Sequence, residues 1–323
     1  MSDNTSPLRF GIIGTGRMAL RFISESRFVK DVSIEAIYDP QRGSARKFIK
    51  NTWAGQQEHP HSCRKLKSFL NYVDAVYIAS PTETHFDYIM EALLRGKHVL
   101  CEKPMCLSLE ESTAAFSMAA SKGLVLAEAI ETAYAPGFKN LLEAIGEGVI
   151  GKVRYLDSSY TMLAEPGSRE LTDNKYGGSF VELGCYVVLP MLMLFGSNYT
   201  ALGFESMNNL DGVDVFTKAD FRYDNALATL TCGLGVKSEE RLLISGEKGY
   251  ITVEAPWWKT THFEVHIEDT KEVLSYDNAF EGDGIRYELS HFVDRIHGIE
   301  EEKNLAACSI VTAGIMEKFL SMN

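Results

Sequence analysis

Over the first 128 residues, short apolar runs alternate with longer amphipathic stretches. "LRFGIIG", "VSIEAIYD", "DAVYIAS", "KHVLCE" and "LVLAEA" are rich in Val, Ile, Leu and Tyr, the signature of strands buried on both faces. Between two of them lies "THFDYIMEALLRGKH", where Phe86, Ile89, Met90, Leu93 and Leu94 fall at i, i+3, i+4, i+7 and i+8 and predict a helix with one buried stripe. "SLEESTAAFSMAASKG" opens on Ser108 and Glu111, the pattern of a capping box, and closes at Gly123. Repeated strand–helix units of this kind predict a doubly wound parallel sheet with helices on both faces.

After Glu128 the pattern changes. A helix is predicted near 137–147. "KVRYLDSSYTML", "VDVFTKADFRY", "ALATLTCGLGV", "RLLISG", "YITVEA", "HFEVHIED" and "EVLSYD" then read as strands joined by turns, which predicts an α/β domain built on a large, mostly antiparallel open sheet. Two late helices are expected near 284–297 and 304–321. With no internal repeat and no low-complexity linker, the expected division is 1–128 and 129–323, joined by a continuous hinge.

Composition narrows the classes. A chain of 323 residues can build two domains with real cores. Its net charge of −12 argues against general binding to nucleic acid or to an anionic membrane surface. On the sequence pattern no stretch is expected to reach the roughly 18 apolar residues of a membrane span. The opening "MSDNTSPLRF" lacks a signal-peptide pattern, so residues 1 to 7 read as a loose tail. Six scattered cysteines form no CxxC pair and no zinc spacing, and His59 and His61 have no metal-type partner. The expectation is reduced thiols, a cytoplasmic protein and no metal.

Candidate chemistry begins at "FGIIGTGRMALRF", where Gly14-x-Gly16-x-x-Ala19 follows the first strand and opens a helix. Gly14 suits a tight turn, Gly16 lets the backbone approach a pyrophosphate, and Ala19 lets helix and sheet pack closely. Thr15, Arg17 and Met18 complete the loop and the first helical turn, whose free N–H groups favour phosphate. Asp39 ends the second strand 23 residues after Gly16, where a carboxylate accepts from ribose hydroxyls and repels a 2′-phosphate. NAD is therefore expected. Arg42 keeps NADP possible, and Asp39 as a plain turn residue in "YDPQRG" is the structural alternative.

Two strand ends carry the rest. "SPTETH" places Ser80, Pro81, Thr82 and His85 after one strand, and "GKHVLCEKPM" places Glu102 and Lys103 after the next. In open parallel sheets ligands sit beyond these carboxyl ends. "DAVYIASPTETHFDYIMEALLRGKHVLCEKPM", with the Gly14 loop and Asp39, resembles the Gfo/Idh/MocA oxidoreductase family across the whole first domain. The resemblance implies a Rossmann domain, a second domain whose open sheet forms a homo-dimer or homo-tetramer face, and Lys103 beside the nicotinamide and the reacting hydroxyl. "YGGSFVELGCYVVLPMLMLFG" resembles the family's second motif, with Glu182 and Tyr186 at the positions of an acid and a proton carrier. Spacing of four puts both on one helix face. Tyr186 is expected to exchange the hydroxyl proton with Lys103 favouring its phenolate. Glu182 is open between orienting that pair and closing a capping box with Ser179. Trp257 and Trp258 are open between lining a sugar site and packing. The function implied is an NAD(P)-dependent oxidoreductase acting on a sugar, sugar derivative or polyol. An NAD(P)-sensing regulatory protein on the same fold and an NAD-dependent glycosidase stand as alternatives.

Overall fold

The structure, a computed structural model, describes residues 7–299 and 304–322. Of the tail expected over 1 to 7, residues 1–6 lie outside the described residues.

The first part of the chain runs β1 (Leu8–Ile13), α1 (Arg17–Ser26), β2 (Val32–Tyr38), α2 (Ser44–Thr52), β3 (His61–Cys63), α3 (Leu66–Phe69), β4 (Ala75–Ile78), α4 (His85–Leu94), β5 (His98–Glu102), α5 (Leu109–Lys122) and β6 (Leu126–Ala129). The six strands form one sheet in the order β3-β2-β1-β4-β5-β6, and every pairing is parallel. This is the doubly wound architecture that the unbroken apolar runs predict: β4 is buried at all four positions, as is β1 from Phe10 onward. The order reverses beside β1, so the loops after β1 and β4 open at the switch point where ligands enter. Among the strands, β3 departs from the sequence pattern: His61 lies in a three-residue edge strand, not in a loop with His59. Ser108 stands at the N-cap of α5 without the side-chain bond of a capping box, and Gly123 ends the helix in the left-handed region.

The second part holds α6 (Pro136–Gly146), β7 (Val153–Thr161), α7 (Arg169–Thr172), α8 (Ser179–Phe195), β8 (Ala201–Asn208), β9 (Asp214–Arg222), β10 (Leu227–Gly233), β11 (Leu242–Gly246), β12 (Gly249–Val253), β13 (His262–Ile267) and β14 (Val273–Asp277). The eight strands order as β14-β13-β12-β11-β7-β10-β9-β8, antiparallel except for the β7–β10 pair. The alternating patterns predicted seven of them. β8 escaped because it is an edge strand with no buried position, so its sequence carries no clean in–out period. One face of the sheet is buried: Phe221, Ala228, Leu156, Ile244, Ile251 and Val265 lie in register across six strands, and α8 packs on β7, β9 and β10.

The chain then forms α9 (Ile285–Ile296) and α10 (Leu305–Met322). Two compact units result: Met1–Ala129 with Gly282–Ile310, and Ile130–Glu281 with Val311–Asn323. The two-block division expected from sequence places everything after 128 in the second domain. Instead the chain returns: Ile285, Leu289, Phe292 and Val293 of α9 join Phe10, Phe22 and Leu100 in the first unit's core, with Phe292 and Phe10 ring centroids 6.0 Å apart. The Arg286 guanidinium caps this return on buried Glu25 of α1, at 2.9 Å. Helix α10 corrects another expectation. By length and composition it could cross a membrane, with a mean hydropathy of 1.4 over 18 residues. Ala313, Ile315, Met316 and Phe319 on it are buried, and Phe319 packs on Phe180 and Phe204 within the second unit.

Candidate active site

The phosphate loop is built as its glycines require. Gly14 has φ +105°, and a Cβ there would lie 2.3 Å from the carbonyl oxygen of Ala79 at the end of β4. The glycine lets β1 turn hard against its neighbour. Gly16 is the N-cap of α1; no side chain caps the helix, no acidic residue sits in its first turn, and a Cβ at Gly16 would meet nothing within 4 Å. Open space over uncapped N–H groups is a cradle that fits a pyrophosphate. Arg17 and Met18 begin the helix itself, and Arg17 is exposed. Asp39 is held in place from both sides: Thr15 Oγ1 donates to Oδ2 at 2.7 Å and the Gln41 N–H to Oδ1 at 2.8 Å. A carboxylate so fixed keeps lone pairs for ribose hydroxyls. The residues present therefore fit a nicotinamide dinucleotide.

The two strand-end loops are stapled together by His85. Its imidazole is buried, with Nδ1 3.0 Å from the Pro104 carbonyl and Nε2 2.9 Å from the Ser80 carbonyl. A neutral ring can donate to only one of these at a time. Burial lowers the His85 pKa and keeps the ring neutral, with the two carbonyls acting in the opposite direction. His85 thus fixes the Ser80–Thr84 segment against the Lys103–Pro104 segment. Ser80 and Thr84 hydroxyls are 2.7 Å apart, while Pro81 and Thr82 form the turn between them.

The abrupt end of β5 also has a physical account. Glu102 is buried and accepts from the Tyr77 hydroxyl of neighbouring β4. Glu128 on β6 accepts the Met105 N–H at 2.9 Å. Lys103, next in the chain after Glu102, is half-buried, and its peptide bond to Pro104 is cis.

In the second unit, α8 carries Glu182 and Tyr186. Its start is not a capping box. The N-cap is Gly178 and not Ser179, with φ +98°, and a Cβ there would lie 1.9 Å from Asp214 Oδ1. Asp214, at the start of β9, accepts the Phe180 N–H at 2.9 Å and the Thr217 hydroxyl at 2.7 Å, while Ser179 Oγ donates to the Asp214 carbonyl at 3.1 Å. A carboxylate from the sheet thus does the work that the sequence reading allowed for Glu182. Burial raises the Asp214 pKa to about 6 against these hydrogen bonds. Glu182 stays half-buried one turn before Tyr186.

Tyr186 is buried, and its hydroxyl donates to both carboxylate oxygens of Glu131, at 3.2 and 3.1 Å. Glu131 was not singled out from sequence, because nothing in "ETAYAPGF" marks a partner 55 residues away. The two tryptophans divide. Trp257 is core, its Nε1–H donating to the Ser159 carbonyl at 2.8 Å. Trp258 stacks on Tyr160, centroids 3.7 Å apart at 11°, and Tyr160 meets Tyr186 edge-on at 5.1 Å. Tyr186 thus lies beside an aromatic wall.

Comparison with known proteins agrees with this geometry. Residues 8–130 match the model of an oxidoreductase family with an NAD-binding Rossmann fold, GFO_IDH_MocA, and residues 138–252 match the GFO/IDH/MocA C-terminal domain. The chain is 29% identical to the scyllo-inositol 2-dehydrogenase (NADP(+)) IolU of Bacillus subtilis, covering 96% of this chain and 95% of that one. Among solved structures, UDP-N-acetylglucosamine 3-dehydrogenase GnnA from Acidithiobacillus ferrooxidans superposes with a TM-score of 0.82 at 21% identity, covering 98% of this chain and 100% of that one. KijD10, a 3-ketoreductase from Actinomadura kijaniata solved with TDP-benzene and NADP, superposes with a TM-score of 0.81 at 22% identity, covering 97% and 96%. At those identities the structures speak for the fold.

Proposed function

The chain belongs to the Gfo/Idh/MocA oxidoreductase family, and on that premise we propose that it interconverts a secondary hydroxyl and a carbonyl on a sugar, sugar derivative or polyol. The observation that carries the reading is the pairing of an open, uncapped Gly14–Gly16 cradle with a lysine delivered at the end of β5 by the same parallel sheet. The bound dinucleotide supplies the hydride acceptor or donor. The chain's own residues do the rest. The α1 N-terminus holds the phosphates, and Asp39 accepts from ribose. Lys103 orients the reacting oxygen, and Tyr186 exchanges its proton. Glu182 is kept as an orienting group. Trp258 and Tyr160 offer an apolar face to the C–H face of a sugar ring. The carbohydrate or polyol class rests on the substrate for which the inositol dehydrogenase relative is named.

The cofactor we propose is NAD, with NADP bound more weakly, because a carboxylate at the end of the second strand, such as the fixed Asp39, accepts from ribose hydroxyls and would repel a 2′-phosphate. We also propose that the protein works in the cytoplasm, on the strength of six unpaired cysteines, five of them buried. Its assembly would be a dimer, or a tetramer built from such dimers, through the outer face of the eight-stranded sheet.

Turnover tests the reading. Wild type is screened against inositols, sugars and sugar nucleotides with both cofactors, alongside Lys103→Met. The variant should bind the dinucleotide nearly as wild type does, since the phosphates sit on the Gly14 loop. Its turnover should fall by about two to four orders of magnitude. Lost cofactor binding would make Lys103 structural, and near-normal turnover would remove it from the mechanism.

A further inference from the structure

We propose that Glu131 accepts and relays the phenolic proton of Tyr186, acting as a positioning residue through which Tyr186 works at neutral pH. This deepens the reading above and rests on it.

Glu131 opens the one-turn helix Glu131–Tyr134, which follows Ile130 at the start of the second unit. The turn cannot drift. Thr132 and Tyr134 are buried on either side of Ala133, the Ala135 N–H returns to the Glu131 carbonyl at 3.1 Å, and Pro136 then starts α6. From that fixed turn both Glu131 oxygens face the Tyr186 oxygen at 3.2 and 3.1 Å. These are long for O–H···O, which centres near 2.7–2.8 Å, and the one hydroxyl faces both oxygens of the carboxylate about equally. Tyr186 faces this carboxylate and, from β7, the edge-on ring of Tyr160, and Glu182 lies one turn earlier on the same helix.

The consequence is chemical. A phenol that still holds its proton cannot take another unless it passes its own along. Beside a carboxylate, ionising the phenol would put two negative charges together, which is disfavoured. The sequence reading relied on a phenolate favoured by an ammonium. The geometry within this unit supplies a different route. As the carbinol is oxidised, its O–H bond breaks and an O–H bond forms on Tyr186. The original Tyr186 O–H bond breaks, and an O–H bond forms on Glu131. The phenol is unchanged at the end, the carboxylate has become a carboxylic acid, and the electron pair leaves as the hydride of the proposed reaction. Reduction runs the same transfers backwards.

The first test needs no substrate. The full chain is labelled with 13Cζ-tyrosine, and the Tyr186 resonance is the one missing from Tyr186→Phe. In Glu131→Gln this resonance should titrate at a pH lower than in wild type by about one unit or more, because the neighbouring negative charge is gone. Glu131→Asp, which withdraws the charge by one methylene, should move it the same way by less. An unchanged titration in both variants overturns the proposal. The second test uses whichever sugar wild type oxidises. Glu131→Gln should lower kcat by about 10²–10³ with KM little changed. Its rate should climb towards alkaline pH as the phenol ionises unaided, and added formate should restore part of the rate of Glu131→Ala. A kcat close to wild type also overturns it. If no sugar is turned over by wild type, the oxidoreductase reading fails, while the titration still decides whether Glu131 controls the Tyr186 proton.

Discussion

At the scale of single residues, the candidate side chains within each unit are fixed by named neighbours. Thr15 and Gln41 hold Asp39, His85 stands between two carbonyls and donates to one of them, Tyr77 holds Glu102, and Glu131 faces Tyr186. Asp39 is where cofactor choice can be measured. Wild type should bind NAD more tightly than NADP in a calorimetric titration. Asp39→Ala should narrow or reverse that gap, since a ribose hydrogen bond and a repulsive charge each count for roughly 1–3 kcal/mol. The inositol dehydrogenase relative is named for NADP(+), so the outcome is informative. Tighter NADP binding by wild type would put Arg42 in control and sink the assignment.

At the scale of elements, α8 depends on β9. The helix carries Glu182 and Tyr186, yet its first turn is satisfied by Asp214, 34 residues beyond Phe180. Asp214→Ala should leave the Phe180 N–H and the Thr217 hydroxyl without their acceptor and cost about 1–3 kcal/mol, seen as a lower melting temperature. Asp214→Asn keeps a carbonyl oxygen for both donors and should cost less. The two should also differ in pH dependence. Burial raises the folded pKa of Asp214 from 3.8 to about 6, so the fold prefers its protonated form. Wild-type stability relative to Asp214→Asn is then greatest at the acid end. It should fall as pH rises from about 4 to about 6, by of order 2–3 kcal/mol, and stay level above that. Denaturation of both proteins at pH 5 and pH 7.5 checks the sign. A wild-type advantage that grows with pH would mean that the hydrogen bonds to the ionised form outweigh burial.

At the scale of the whole molecule, the eight-stranded sheet presents two unlike faces separated by a single step along each strand. Next to the buried row lies another in register: Leu227, Tyr155, Ser245, Tyr250, His266 and Val273. Leu227, Tyr250 and Val273 are 51%, 41% and 49% exposed, and Tyr250 stacks on His266 with centroids 4.4 Å apart. Leu227, Tyr155, Tyr250 and Val273, spread over four of these six strands, suit a second copy of the same sheet, because a flat two-fold contact pairs the row with itself. Tyr250→Glu should therefore convert a dimer into a monomer in sedimentation equilibrium, with the secondary structure unchanged. A wild type that sediments as a monomer removes the proposal.

What the sequence determined by itself is whatever a local pattern can encode. Unbroken apolar runs carried the parallel sheet, alternation carried seven of the eight strands of the second sheet, and the Gly14 turn and the Lys103 strand end were legible because chain direction alone places them at one edge. Only the tertiary structure decided the rest. It sent α9 back to the first core, put Trp257 in a core and Trp258 against Tyr160, gave the start of α8 to Asp214 instead of Glu182, and set Glu131 against Tyr186. These are contacts between residues 34 to 98 or more positions apart. No periodicity links such positions: a helix or strand repeats every few residues, but a buried donor takes whichever acceptor the fold brings within about 3 Å of it.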